Sequence, residues 1–200
     1  MSKYRKFRCA KEAESWAKVN FGDVYGKKLS DGADFEVLFL YSGYGYRFYN
    51  STLRFGTEWT SAEEQELERL KYILANHNLP EKVIAYRYTQ QDVLLHLCGS
   101  DKLRPGMRFS DKAFLSTSLV KASLRKFKKE NPCNCLLKLR LPEGLNAVYI
   151  SLESTDSRLR EQELLLDRNI LFEIEKIHRF RYPLLIECKA IPNTSLEEEV

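Results

Sequence analysis

The residues best suited to chemistry are two acids one position apart, Glu161-Gln162-Glu163, set where a polar stretch gives way to the apolar run Leu164-Leu165-Leu166. Side chains of an extended segment alternate faces, so residues two apart point the same way and both carboxylates are expected to face one cleft. Like charges held that close repel and raise one another's pKa, a cost that marks chemistry more often than architecture. The competing reading is a solvated strand edge whose charges guard against aggregation. Two more groups precede the acids, Tyr86-Arg87 and Phe114-Leu115-Ser116-Thr117-Ser118. Taken singly these too have ordinary readings, a surface arginine and a polar strand.

The elements that must position these groups follow from periodicity. A helix is expected over 9–20, with Ala10, Ala13, Trp16, Ala17 and Asn20 on a spacing of three to four, ended by Gly22-Asp23. A second covers Phe35 to Tyr41. A turn at Ser42-Gly43-Tyr44-Gly45 leads to a third short helix through Tyr46, Asn50, Leu53 and Arg54. Thr60 or Ser61 caps a fourth, with Glu63 and Glu64 in its first turn, Leu67, Leu70, Ile73 and Leu74 on one face, and Pro80 as its stop. From Val83 the period shifts toward two. Strands are expected at 83–88, 114–118, 135–141, 146–151, 163–167, 170–177 and 183–190, with a basic helical segment at 120–131. Helices first and strands after make the class α+β.

Two hundred residues with 44% hydrophobic content suffice for one sizeable core. We read one domain over 1–200, mainly helical over 1–80 and mainly β over 81–192. A net charge of +4, from 32 basic and 28 acidic residues, falls short of the dense footprint of a nucleic-acid binder and suits an anionic small ligand. The charged opening has no apolar signal-peptide core after it, and no stretch is long enough to span a membrane. Five cysteines, odd in number and scattered, suit a reducing compartment. Cys133 and Cys135 are too close and too isolated for a zinc site, and His77, His96 and His178 have no partner at ligand spacing, so no metal is expected.

Tyr86-Arg87, then Ser116-Thr117-Ser118, then Glu161-Gln162-Glu163 resemble, in that order, the Arg, Ser-Thr-Ser, Glu-x-Glu class of mono-ADP-ribosyltransferases, which includes the bacterial toxins that modify actin. Glu12-Ala-Glu-Ser-Trp16-Ala17 is similar to the opening helix of that family, and Tyr46 with Asn50, Leu53 and Arg54 to the helix along its dinucleotide cleft. The likeness covers roughly residues 7 to 178. It implies two packed, mostly antiparallel sheets with N-terminal helices flanking an NAD cleft, and transfer of ADP-ribose from NAD to a protein arginine with release of nicotinamide. The transition state has oxocarbenium character, as in glycoside cleavage. The resemblance makes Glu163 the carboxylate that stabilises this charge, Ser116 the hydroxyl that holds Glu163, and Arg87 the clamp on the phosphates, where a planar fork outperforms lysine. Glu161 is left for the acceptor guanidinium. Cofactor contacts are expected from Tyr46, Asn50, Tyr88, Thr117, Ser118 and Phe127 as well. Lys128 or Lys129 stands in for a basic residue near a phosphate, and Arg158 for the residue that recognises the target.

The chain departs from the family at Tyr88, where many members have glycine and which crowds the cleft, and at Ala113, where some carry a polar residue. The target protein does not follow from the resemblance, though actin is among the candidates. The family's commonest use implies a secreted or injected effector acting in the cytosol of a target cell; an enzyme that stays in its own cell is the alternative. Two rival functions stay open: an NAD glycohydrolase in which water is the acceptor, and a non-catalytic module that binds a partner through its helical face and basic segment.

Overall fold

The computed structural model describes residues 3–26, 33–56, 58–150 and 161–192. Helix α1 (Ala10–Gly26) buries Ala13, Trp16, Ala17 and Phe21, the spacing expected of one apolar face. It does not stop at Gly22: a single glycine costs a helix only about 1 kcal/mol, too little to end one anchored by Phe21. Helix α2 (Ala33–Leu40) is followed not by a tight turn but by a wide π-helical turn, Tyr41–Gly45, that runs straight into α3 (Tyr46–Phe55). Gly45 is required there, since a Cβ would lie 2.5 Å from the Tyr49 ring and 2.9 Å from the Leu40 carbonyl oxygen.

Helix α4 (Ser61–Ala75) starts from a capping box. The Thr60 hydroxyl accepts from the Glu63 amide at 3.3 Å and the Glu63 carboxylate accepts from the Thr60 amide at 2.8 Å. Leu67, Leu70, Ile73 and Leu74 pack inward. The helix ends at Asn76, whose side chain donates to the Tyr72 carbonyl at 2.8 Å, so Pro80 lies beyond the stop rather than causing it.

Among the described residues eight strands follow: β1 (Val83–Thr89), β2 (Arg108–Phe109), β3 (Leu115–Ser118), β4 (Cys135–Leu141), β5 (Ala147–Tyr149), β6 (Glu163–Leu166), β7 (Leu171–His178) and β8 (Leu184–Ile191). A short helix α5 (Gln91–Leu97) and strand β2 carry too few residues to show a period, and sequence reading passed over both. The basic segment becomes a 3₁₀ turn, Lys121–Leu124, and α6 (Arg125–Glu130). Among the described residues no helix is long and apolar enough to cross a membrane.

The strands hydrogen-bond in the order β2-β7-β8-β4-β1-β3-β6-β5, antiparallel except for β4 beside β8. The expected two sheets are thus two parts of one ladder. β1 pairs with β4 along its whole length, from Val83↔Leu141 to Thr89↔Cys135, whereas β3 meets β1 only at Tyr86↔Ser118. This joint separates a five-stranded part from the three-stranded part β3-β6-β5. A sheet that parts at a single bridge leaves a notch between its strand ends, and there the motif residues gather.

Candidate active site

A small cavity of about 50 Å³ at the joint is lined by Tyr86, Arg87 and Tyr88 of β1, Ser116 and Thr117 of β3, Leu124 and Phe127 of the basic segment, and Glu161 and Glu163. Larger surface hollows exist: one along α4 holds none of these residues, and one of about 220 Å³ beside β8 shares only Tyr88. The joint explains the convergence. β3 pairs with β6 in the register Ser116↔Leu165, Thr117↔Leu164 and Ser118↔Glu163, which sets the hydroxyl strand beside the start of the acidic one.

Glu163 is the first residue of β6. Burial pushes its carboxyl above the ordinary range, opposed by a hydrogen bond from Ser116 and by the Arg87 charge. The sequence argument assigned such a shift to repulsion between the two acids; the structure assigns it first to desolvation. Arg87 donates from Nη1 to the Ser116 carbonyl at 2.6 Å. Burial pulls the guanidinium down, while the Tyr41, Asp111 and Glu163 groups favour its charge and Arg54 opposes it. Arginine stays protonated under such opposing influences because it starts above pH 12.

Glu161 lies outside the ladder, in the turn before β6. Strand alternation therefore does not bring the two acids together. Gln162 between them adopts φ 56°, in the left-handed region, and this kink delivers both carboxylates to the cavity.

Thr117 and Ser118 serve the frame. The Thr117 hydroxyl donates to the Leu164 carbonyl at 2.7 Å, although the residue also touches the cavity. Ser118 is fully buried, its hydroxyl bonding the Glu161 carbonyl and the Val120 backbone, and it does not line the cavity. Phe127 and Tyr88 form half-buried walls, with the Lys128 ammonium 5.9 Å from the Tyr88 ring centroid. Tyr88 lines the space next to Arg87. Tyr46 stands away from the cavity lining: it is 38% exposed and its hydroxyl accepts from Arg47 Nε at 2.9 Å. Arg158 lies outside the described residues.

Asn50 reaches the site through an intermediary that sequence reading missed. Its Nδ2 donates to the Tyr41 hydroxyl at 3.1 Å, and Tyr41 hydrogen-bonds Ser116, which in turn bonds Glu163. Burial and the Glu163 charge push the Tyr41 phenol up, so it stays a neutral donor. Nine residues are about two and a half turns of an α-helix, which hides this partnership; the wide π turn removes part of the offset.

The pair Arg54–Asp111 was also missed. The guanidinium meets the carboxylate with both arms, Nε to Oδ1 at 2.8 Å and Nη2 to Oδ2 at 2.6 Å, and Asp111 Oδ1 also accepts from the buried Ala113 amide at 3.0 Å. Such pairing leaves no trace in a single sequence. Asp111→Ala is expected to cost about 2 kcal/mol, visible as a lower urea midpoint with an unchanged slope. Among the described residues no group of three or more His, Cys, Asp or Glu gathers to hold a metal.

A profile of the family described as ADP-ribosyltransferase exoenzyme matches residues 13–183. No curated protein sequence matches this chain. Among solved structures, Plx2a, an ADP-ribosyltransferase toxin from Paenibacillus larvae, is similar over 94% of this chain and 99% of its own, with 21% identity and a TM-score of 0.72. C3stau2 from S. aureus, solved with NAD, is similar over 96% of this chain and 100% of its own, with 18% identity and a TM-score of 0.74. C2-I, the enzymatic component of the C2 toxin from Clostridium botulinum, has 26% identity and a TM-score of 0.73 over 96% of this chain but 50% of its own, so this chain spans half the length of that relative. A profile match running from within α1 to the turn before β8, on a fold shared almost end to end with such toxins, makes this chain a member of the ADP-ribosyltransferase exoenzyme family.

Proposed function

We propose that this chain breaks NAD at its nicotinamide–ribose bond and passes ADP-ribose to an arginine side chain of a target protein, as one catalytic domain of a toxin or effector acting in the cytosol of a target cell. The observation that carries this reading is a half-buried Glu163, bonded by Ser116 and facing Arg87, in one cavity with a second acid outside the ladder. The residues fit the substrate: a cation for the pyrophosphate, a carboxylate for the ribose, and aromatic walls for the nicotinamide ring. The cavity admits only part of a dinucleotide, and the rest of NAD would lie along the open face beside Tyr88 and Phe127. NAD accompanies C3stau2, and NADH accompanies BECa of C. perfringens, another relative of the same fold.

In this reading the bond to nicotinamide breaks with its electron pair going to the leaving ring, and Glu163 stabilises the positive charge left on the ribose. Ser116 fixes the Glu163 rotamer, and the Tyr41–Asn50 pair holds Ser116. Glu161 takes the proton from the guanidinium as its nitrogen attacks, a step that needs a placed carboxylate because arginine loses a proton only above pH 12.

The test is label transfer from NAD tagged on its adenine half, in a eukaryotic cell lysate, with agmatine as competitor. Discrete labelled proteins suppressed by agmatine are expected. Nicotinamide release with no labelled protein would replace this reading with a glycohydrolase, and neither release nor label would leave a partner-binding module.

A further inference from the structure

Gln162, between the two acids, is held through both its side chain and its backbone. It is 1% exposed and left-handed, a backbone state that residues other than glycine rarely adopt. Its side-chain amide is spent on two distant elements. The Tyr149 hydroxyl of β5 donates to Gln162 Oε1 at 2.5 Å, and Gln162 Nε2 donates to Glu14 Oε1 of α1 at 3.0 Å. Its carbonyl accepts from the Leu119 amide at 3.0 Å, while the preceding carbonyl of Glu161 accepts from the Ser118 hydroxyl.

The two acids depend on this turn unequally. Glu163 is set by the sheet: it pairs with Ser118, and its carbonyl accepts from the Ile150 amide at 3.0 Å. Glu161 lies in the turn before the ladder and adjoins Gln162, so the left-handed backbone of Gln162 contributes to its direction. A strained φ persists only where its surroundings over-determine it, and here the amide's two partners, on α1 and β5, do that from outside the motif.

We propose that Gln162 is a positioning residue, its amide clamped between Glu14 and Tyr149 so that the left-handed turn aims Glu161 at the acceptor and sets the partition of ADP-ribose between a guanidinium and water. This rests on the reading of Glu161 given under Proposed function. A displacement of about 1 Å in a reacting group can cost up to about 10²-fold in rate, so relaxation of the turn acts on transfer while Glu163, held by the sheet, continues to cleave NAD.

The experiment compares Gln162→Ala, Glu14→Ala, Glu14→Gln and Tyr149→Phe with wild type, measuring transfer to agmatine and nicotinamide release without acceptor. For Gln162→Ala, kcat/KM for agmatine should fall roughly 10- to 100-fold with a raised agmatine KM. Glu14→Ala and Tyr149→Phe should each lose about fivefold, the worth of one hydrogen bond. Glu14→Gln keeps an oxygen acceptor and should transfer as wild type does. Release without acceptor should stay within about threefold of wild type in Glu14→Ala, since the sheet still holds Glu163. Equal loss of transfer and release, or an unchanged partition in Glu14→Ala, would overturn the proposal. Hydrogen exchange at the Leu119 amide reads the clamp without catalysis. It should quicken in Glu14→Ala and Gln162→Ala but not in Glu14→Gln, and an unchanged rate in all of them sinks the clamp. A wild type that transfers nothing to agmatine sinks the functional reading instead, and the two failures are told apart.

Discussion

Glu163→Gln is expected to release nicotinamide from NAD roughly 10²- to 10³-fold more slowly than wild type, the usual loss when one preorganised electrostatic partner of a transition state is removed, and to unfold at a higher temperature at neutral pH. Both effects come from one physical cause. A carboxylate taken out of water loses hydration, which pushes the Glu163 carboxyl above the reference of 4.5 despite Ser116 and Arg87. The native state therefore holds the proton to higher pH than the unfolded chain does. Stability from this group is fully present below about pH 4.5, is lost as pH rises through the raised native value, and is a constant deficit above it. Glutamine bears no charge to desolvate and removes the deficit. The difference in melting temperature between variant and wild type should accordingly vanish below about pH 4.5. Catalysis runs the other way, because only the ionised carboxylate stabilises an oxocarbenium ion: nicotinamide release should climb as Glu163 deprotonates, and Glu163→Gln should lack that limb. A variant that releases nicotinamide at the wild-type rate would remove Glu163 from the mechanism. Equal melting temperatures at pH 7 would contradict the burial argument.

The second large effect separates the two acids. Glu161→Gln should lower transfer to agmatine about 10²-fold, the low end of what a general base contributes, while nicotinamide release without acceptor stays within a few-fold of wild type. Glu161 lies in the turn and Glu163 in the sheet, so the substitution leaves the carboxylate proposed to face the ribose and its Ser116 and Arg87 partners in place. Water needs no guanidinium base and still captures the ribosyl cation. The readout is the ratio of ADP-ribosyl-agmatine to free ADP-ribose, and a ratio equal to wild type would make Glu161 a bystander. Parallel loss of both products would instead make the acids a single unit.

Much of the site could be read from residue types alone. Arg87, Ser116, Glu161 and Glu163 carry charge and hydrogen-bonding capacity, and their order along the chain resembles that of a known class of ADP-ribosyltransferases. The structure gathers them on one cavity. The apolar faces of α1 and α4 were equally legible, because interactions at i, i+3 and i+4 are written into local spacing. So was the helix cap, expected at Thr60 or Ser61 and found at Thr60, which involves only neighbours in sequence. The errors arose where a local rule met a stronger distant contact. Gly22 reads as a helix stop, yet α1 continues to Gly26; the glycines around Tyr44 read as a turn, yet the chain stays helical through a π turn.

The sequence by itself determined the α+β order of the elements and the identities of the motif residues, since each depends on side-chain type and short-range period, and the order of those motifs carried the resemblance to a class of chemistry. Tertiary structure decided what those residues experience. The single bridge at Tyr86↔Ser118 opens the notch, and strand pairing across the chain is not encoded in any one segment. Burial, a property of everything packed around a group, shifts Glu163. Tyr41, at the start of the π turn, joins the site through Asn50 and Ser116, and Gln162 holds its turn through Glu14, 148 residues away. A period of two placed both acids in one cleft for a reason the backbone does not use: a left-handed residue, stabilised by partners on α1 and β5, puts them there.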